Sequence, residues 1–193
     1  MDKLLAEDLY TLESYAKLRE EFRMRVMEHK QHRRLLLGDN VLLLFEDRLT
    51  IQYQVQEMLR VERIFEAAGI VEELESYNPL IPDGSNWKAT MMIQFTDPAE
   101  RRTALERLLG IEDRVWVRVD GYAEVFAIAD EDLERATDTK TSSVHFLRFE
   151  LAPPMCAALR DGASLRMGVS HAEYAADHEV PEGMRESLLA DLA

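Results

Sequence analysis

Residues 115–129, VWVRVDGYAEVFAIA, decide the fold class. Val115, Val117 and Val119 alternate with Trp116 and Arg118, the two-residue period of a strand with one buried face. A second apolar run, Val125 to Ala129, follows. Between them Asp120-Gly121 is a pair favoured in type I′ hairpin turns. A hairpin forces antiparallel pairing, so the sheet it belongs to is predicted to be mainly antiparallel.

Outward from this hairpin the same signals recur. Residues 34–47, RLLLGDNVLLLFED, place two apolar runs around Gly38, Asp39 and Asn40, which tolerate positive φ. Residues 88–95, 143–151 and 164–169 read as further strands, the last being the final strand of the chain. Helical spacing marks residues 8–16 and 22–32 as two helices. Thr50 is a plausible N-cap for a helix to Phe65, with Ile51, Val55, Met58, Leu59 and Phe65 as its buried stripe. Residues 70–77 continue helically until Asn78-Pro79, and residues 99–109 follow Pro98 and close at Gly110. Pro153-Pro154 breaks the 143–151 strand ahead of a short helix at 155–160, and a last helix runs from Pro181. The pattern predicts an α+β fold: one mainly antiparallel sheet of about six or seven strands, with helices packed against it, in a single domain over residues 1–193.

The chain has 193 residues and a net charge of −14, which disfavours nucleic acid and anionic membranes as partners. The exception is residues 17–34, at +4 against −18 for the remainder. Such a segment is expected to dock on the chain's own acidic surface or on an acidic partner. Cys156 is the only cysteine, which excludes an intrachain disulfide and fits a reducing, cytoplasmic setting. The first residues lack a signal-peptide core, and the longest apolar runs are far too short to span a bilayer.

There is no Gly-rich phosphate loop, H-E-x-x-H, C-x-x-C or G-x-S-x-G in the chain, and no Glu precedes a His by three residues. Four polar constellations remain. On the helix after Thr50, the residues Tyr53, Gln56, Glu57, Arg60 and Ile64 fall on one side. That strip either lines a cleft, with Glu57 as base or metal ligand and Arg60 as anion clamp, or is a solvated face. Charged residues beside an apolar stripe on a helix between two strands tend to be partly desolvated, so Arg60→Ala is expected to cost more than about 2 kcal/mol by leaving Glu57 an uncompensated carboxylate. His145 in SSVHFLRFE shares a strand face with Leu147 and Phe149, as a ligand, an acid/base group or a hydrogen-bonded core imidazole. His171 and His178 flank Glu173, Tyr174 and Asp177, a spacing that is not standard for zinc; the bland alternative is that His171 caps a turn and Tyr174 packs. His29 and His32 in HKQH stand one helical turn apart, but Lys30, Arg33 and Arg34 would repel a cation there. Cys156 opens a short helix and reads as a packed thiol.

Four ordered stretches, FEDRLTIQYQVQEMLRVERIF (45–65), YNPLIP (77–82), VHFLRFE (144–150) and HAEY (171–174), resemble the bacterial domain-of-unknown-function family 3501 over nearly the whole chain. The residues matching its motifs are Glu46, Arg48, Gln56, Glu57, Arg60, Glu62, Arg63, Tyr77, Asn78, Pro79, His145, His171 and Tyr174. Genes of that family often neighbour rubrerythrin-like proteins and iron–sulfur reductase subunits. The resemblance therefore implies an accessory or regulatory partner in a non-haem iron or peroxide-defence system, with a rubrerythrin-like or iron–sulfur redox protein as its partner. The competing expectation is a carboxylate/His metal-dependent or small-molecule enzyme. Its pocket would gather Glu46, Arg48, Tyr53, Gln56, Glu57, Arg60, Glu62 and His145, with Glu57, Glu62, His145 and His171 as candidate ligands. Such a donor set suits iron or manganese.

Overall fold

The computed structural model describes residues 2–133 and 135–193. The hairpin of β1 (Arg34–Leu37) and β2 (Val41–Glu46) forms as the sequence predicts, with Leu37 opposite Val41. Gly38 turns it at φ +62°. A Cβ at Gly38 would stand 2.6 Å from the Tyr174 hydroxyl, so both conformation and space call for glycine. β3 (Asn86–Ile93) pairs with β2, β7 (Val144–Glu150) with β3, and β6 (Ile128–Ala129) with β7. The result is a five-stranded sheet in the order β1-β2-β3-β7-β6. A second sheet has the order β5-β4-β8-β9, from β4 (Val115–Val119), β5 (Val125–Phe126), β8 (Leu165–His171) and β9 (Tyr174–Glu179). All these strand pairs are antiparallel.

The α+β class and the antiparallel pairing therefore hold, while the strands divide between two sheets. The division occurs inside the stretch that decided the class. Val125 and Phe126 pair with β4, the Ala127 N–H donates to the Val115 carbonyl at 2.8 Å, and Ile128 and Ala129 pair with β7. One apolar run thus serves both sheets. The Asp120-Gly121 turn also differs from type I′. Only Gly121 has positive φ, +81°, and the Tyr122 N–H closes onto the Val119 carbonyl at 3.0 Å. A type I′ turn needs positive φ at both central residues. Pairing resumes only at Val117 and Val125, so the connection is a wide loop. Strand β9 carries no apolar alternation because it is an exposed sheet edge, held by its ladder to β8.

The helices are α1 (Leu12–Gln31), α2 (Arg48–Glu62), α3 (Ala67–Tyr77), α4 (Pro98–Arg107), α5 (Pro153–Arg160) and α6 (Glu182–Leu189). The two predicted N-terminal helices are one, because the intervening Lys17, Leu18, Arg19, Glu20 and Glu21 include no breaker. It is capped by Thr11, whose hydroxyl accepts from Ser14 N at 3.2 Å. Asp47, not Thr50, caps α2: Asp47 Oδ1 accepts from Thr50 N and Thr50 Oγ1 accepts from Asp47 N, each at 2.9 Å. The helix ends at Glu62, where Arg63 turns left-handed at φ 57°. Phe65 therefore leaves the predicted stripe and is 72% exposed, while Ile51, Val55 and Leu59 are buried. Pro153 and Pro154 open α5, where a missing N–H costs nothing.

Inner-face residues of both sheets, including Val41, Leu43, Phe45, Trp87, Met91, Val117, Leu165 and Met167, form one core with Met155, Leu159, Met184 and Leu188 of α5 and α6. Two smaller clusters lie among the N-terminal helices. Leu4, Ile51, Val55, Leu59, Leu74 and Ile81 join α2 to α3, and Tyr15, Phe22 and Val26 line α1. No described helix is long and apolar enough to cross a membrane.

Candidate functional site

The strip on α2 is divided by its surroundings. Gln56 is fully buried, its Oε1 accepting from Tyr10 N at 2.6 Å. Tyr53 packs on Phe22 with ring centroids 6.0 Å apart. Glu57 is held by a residue outside the strip: Arg19 donates from Nε and Nη2 to its two oxygens at 2.8 Å each, and the Tyr15 hydroxyl adds a bond of 2.7 Å. Arg60 stands 3.5 Å away with 42% of its side chain exposed. The Arg19 guanidinium, aided by Tyr15, holds the Glu57 carboxyl down to about 2. Arg60 is the outer partner, which corrects the expected cost of Arg60→Ala: with Arg60 removed, Glu57 still keeps the two-pronged contact with Arg19. Arg19 belongs to the +4 segment, which docks here on the chain's own carboxylates.

His145 faces the other way. It lies opposite Met91 on the core face of the first sheet and is fully buried. Its Nδ1 is 2.5 Å from Asp130 Oδ2, and its Nε2 is 2.8 Å from Thr141 Oγ1 and 3.1 Å from the Ser142 carbonyl. Thr141 Oγ1 donates to Glu112 Oε2 at 2.9 Å, which lies 3.8 Å from His145 Nε2. Asp130 adopts φ 49° and also accepts from Phe146 N at 3.0 Å and from Arg135 at 3.1 Å. One imidazole therefore ties down both ends of the 130–141 loop. Asp130, Thr141 and Glu112 have no sequence signal, because only the fold brings them to the ring.

The remaining candidates are separated. Glu46 accepts from Thr50 Oγ1 at 2.6 Å and from Thr90 Oγ1 at 2.9 Å, on the face of the sheet opposite His145. Arg48 pairs with Asp8 at 2.7 Å, and Glu62 is exposed. His171 caps its turn, accepting from Glu173 N at 3.2 Å and bonding the Leu109 carbonyl at 3.1 Å. Tyr174 packs on the β1–β2 turn, with Asn40 N donating to its hydroxyl at 3.0 Å. The two histidines of HKQH diverge: His29 meets Asp47 at 2.5 Å, and His32 lies beside Gly183 in α6. Cys156 is buried, which raises its thiol pKa. The expected single pocket is therefore not formed, because the first sheet itself stands between Glu46 and His145. Among the described residues no three His, Cys, Asp or Glu side chains are arranged to hold a metal ion, so Glu57, Glu62, His145 and His171 do not make an iron or manganese centre together.

Several clefts among the described residues are large enough for a ligand, and two of them have a mainly apolar lining. One, of about 570 Å³, lies between α4 and the β8–β9 hairpin and includes Phe95, Thr103, Leu108 and Tyr174, with Arg107 and Glu173 paired at its edge. The other, of about 380 Å³, lies between α2–α3 and the outer face of β3 and β7. Met58, Tyr77, Leu80 and Phe146 supply its apolar lining, and Lys88, Arg148, Glu73, Glu131 and Asp132 its charges. Three of the four stretches that carry the family resemblance contribute to this second cleft. It is the better candidate site.

These features define an α+β protein with two antiparallel sheets and a helical N-terminal layer, with a cleft between α2–α3 and the outer face of β3 and β7. The chain belongs to the family described as protein of unknown function (DUF3501), whose model matches residues 3–192. Among solved structures it is similar to the crystal structure of a novel protein of unknown function from Burkholderia pseudomallei K96243 at 1.90 Å resolution. The two are 50% identical, the match covers 100% of both chains, and the TM-score is 0.95. No curated protein matches the chain.

Proposed function

We propose that this protein is an accessory partner in a non-haem iron or peroxide-defence redox system, docking on a rubrerythrin-like or iron–sulfur protein through the corner between α2 and α3. The observation that carries this reading is the exposure of three apolar side chains at that corner: Phe65 at 72%, Val61 at 64% and Val71 at 47%. Exposed Glu62, Glu66, Glu72 and Glu75 stand among them in sequence. The left-handed Arg63 and the bond from Ile64 N to the Leu59 carbonyl, 2.9 Å, hold the corner and direct Phe65 outward. An aromatic anchor with a charged rim is the composition of protein interfaces, and the acidic rim suits a basic partner surface. The choice of an iron redox partner rests on the family resemblance. A non-catalytic role is supported by the internal engagement of Glu46, Glu57 and His145.

Size-exclusion chromatography with a co-expressed rubrerythrin-like protein tests the proposal. Co-elution at micromolar concentration is expected. Phe65→Glu should abolish it without altering the circular dichroism spectrum, because the ring packs little on its own chain. Separate elution of the unaltered protein would overturn the reading.

A further inference from the structure

We infer that the 380 Å³ cleft between α2–α3 and the β3–β7 face binds a small apolar molecule carrying one carboxylate, with Lys88 as the group that receives the carboxylate. The volume falls within the range of small-molecule sites, which are mostly apolar with a few placed polar groups. Met58, Tyr77, Leu80 and Phe146 give the cleft its apolar surface. They come from a helix, a helix end, a turn and a strand, so the shape of the cleft is fixed by the packing of four elements.

The state of each charged group selects the ligand. Arg148 is spent: Nε and Nη2 hold Glu131 at 2.8 Å each, and Nη1 holds Glu150 at 2.6 Å. Asp132 is spent on Arg135, at 2.5 and 2.6 Å. Lys88 differs. Its ammonium donates to the Pro79 carbonyl at 2.9 Å, and among the described residues no carboxylate pairs with it. An ammonium has three donors, so two remain for an incoming anion. Lys3 supports the same sign. It donates to the Asn78 and Ile81 carbonyls of the same turn at 3.0 and 2.7 Å. Burial first, and then the charge of Lys88, lowers its pKa. A bound carboxylate would relieve the repulsion between these two ammonium groups.

Glu73 is the remaining acid of the cleft. Its carboxyl is raised by burial and by Glu62 and Glu72, and Lys88 is not among the charges that act on it. Lys88 lends its charge at a distance to Glu131 of the cleft and to Asp83 beside it. Among the described residues neither carboxylate closes an ion pair with it, and Glu131 is engaged by Arg148, which leaves the Lys88 donors available to a ligand. The cleft between α4 and the β8–β9 hairpin offers no comparable cation, since its Arg107 is held by Glu173. This inference does not depend on the docking reading, and its test uses the protein alone.

Isothermal titration calorimetry with decanoate, decanol and decylamine separates head group from chain. Decanoate should bind about tenfold tighter than decanol, the difference of roughly one charge-assisted hydrogen bond. Decylamine should bind more weakly than decanol. Lys88→Met, which keeps the aliphatic stem, should abolish the preference for decanoate and leave decanol binding and the melting temperature unchanged. Phe146→Ser should weaken all three ligands. Binding of none of the three to the unaltered protein would overturn the inference. So would decylamine binding as tightly as decanoate, or an unchanged decanoate affinity in Lys88→Met.

Discussion

At Glu57 two arginines share one carboxylate, and their geometry separates their roles. Arg19 makes a two-pronged contact at 2.8 Å, whereas Arg60 is 3.5 Å away and 42% exposed. Exposed ion pairs contribute under about 1 kcal/mol, so Arg60→Ala should lower stability by less than that. Arg19→Ala should lower it more. Tyr15→Phe removes a bond from a fully buried ring to a carboxylate, at a cost of roughly 1–3 kcal/mol. Urea unfolding of the three variants, compared at equal slope, checks the order. The pH dependence follows from the same contacts. Glu57 titrates at about 2 in the folded chain, below its ordinary 4.5. Its contribution is therefore present in full above that ordinary value and disappears as pH falls from 4.5 toward 2.

Two elements are held by buried polar clasps. In the first, Arg33 donates to the carboxylate of Asp191, to the Ser187 carbonyl at 3.0 Å and to the Phe45 carbonyl at 3.1 Å, joining α6 and the C-terminal residues to the β1–β2 hairpin. Asp191 Oδ1 is buried and has no hydrogen-bond partner among the described residues. Burial outweighs Arg33 and raises the Asp191 carboxyl to about 6 from 3.8. The sign is opposite to that of Glu57. The folded chain holds this proton more tightly, so the contribution is full below about 4 and disappears as pH rises through 6. Asp191→Asn should remove that slope, which unfolding free energies measured from pH 4 to pH 7 will reveal. In the second clasp, His145 fastens the 130–141 loop through Asp130 and Thr141. His145→Leu would leave these groups without their partner, at a cost of at least about 2 kcal/mol. Hydrogen exchange across residues 130–141 should rise with it. An unchanged exchange pattern would show that the loop is held by other contacts.

For the molecule as a whole, α6 closes the core shared by the two sheets. The fully buried Trp87 donates from Nε1 to the Leu188 carbonyl at 2.9 Å, and Met184 and Leu188 pack beside it. Truncation after Val180 removes these contacts and the Arg33–Asp191 pair together. The truncated chain should lose cooperative unfolding, and its tryptophan emission should shift to the red, because Trp87 and Trp116 are both buried in the intact protein. A truncated chain that keeps a sharp melting transition and blue-shifted emission would show that the sheets close without α6.

Local patterns determined what local chemistry can specify. Strand alternation around Trp116 and His145, the glycine turn at Gly38 and the proline starts of α4 and α5 each act within a few residues. They gave the α+β class, the antiparallel pairing and most helices. The boundaries of α2 were less legible, because Asp47 and Thr50 are both good caps and only the hydrogen bonds distinguish them. The composition pointed the +4 segment either to the chain's own acids or to an acidic partner, and Arg19 and Arg33 take the first course. Only the tertiary structure decided which acids. Arg19 meets Glu57 across 38 residues and Arg33 meets Asp191 across 158, and no local period encodes such separations. The assignment of VFAIA to two sheets was equally illegible, since a strand's partners do not alter its own alternation. The cleft at Lys88 likewise exists only where α2, α3, β3 and β7 come together. Its chemistry depends on which charges have already found partners, and that is set by the packing of the whole chain.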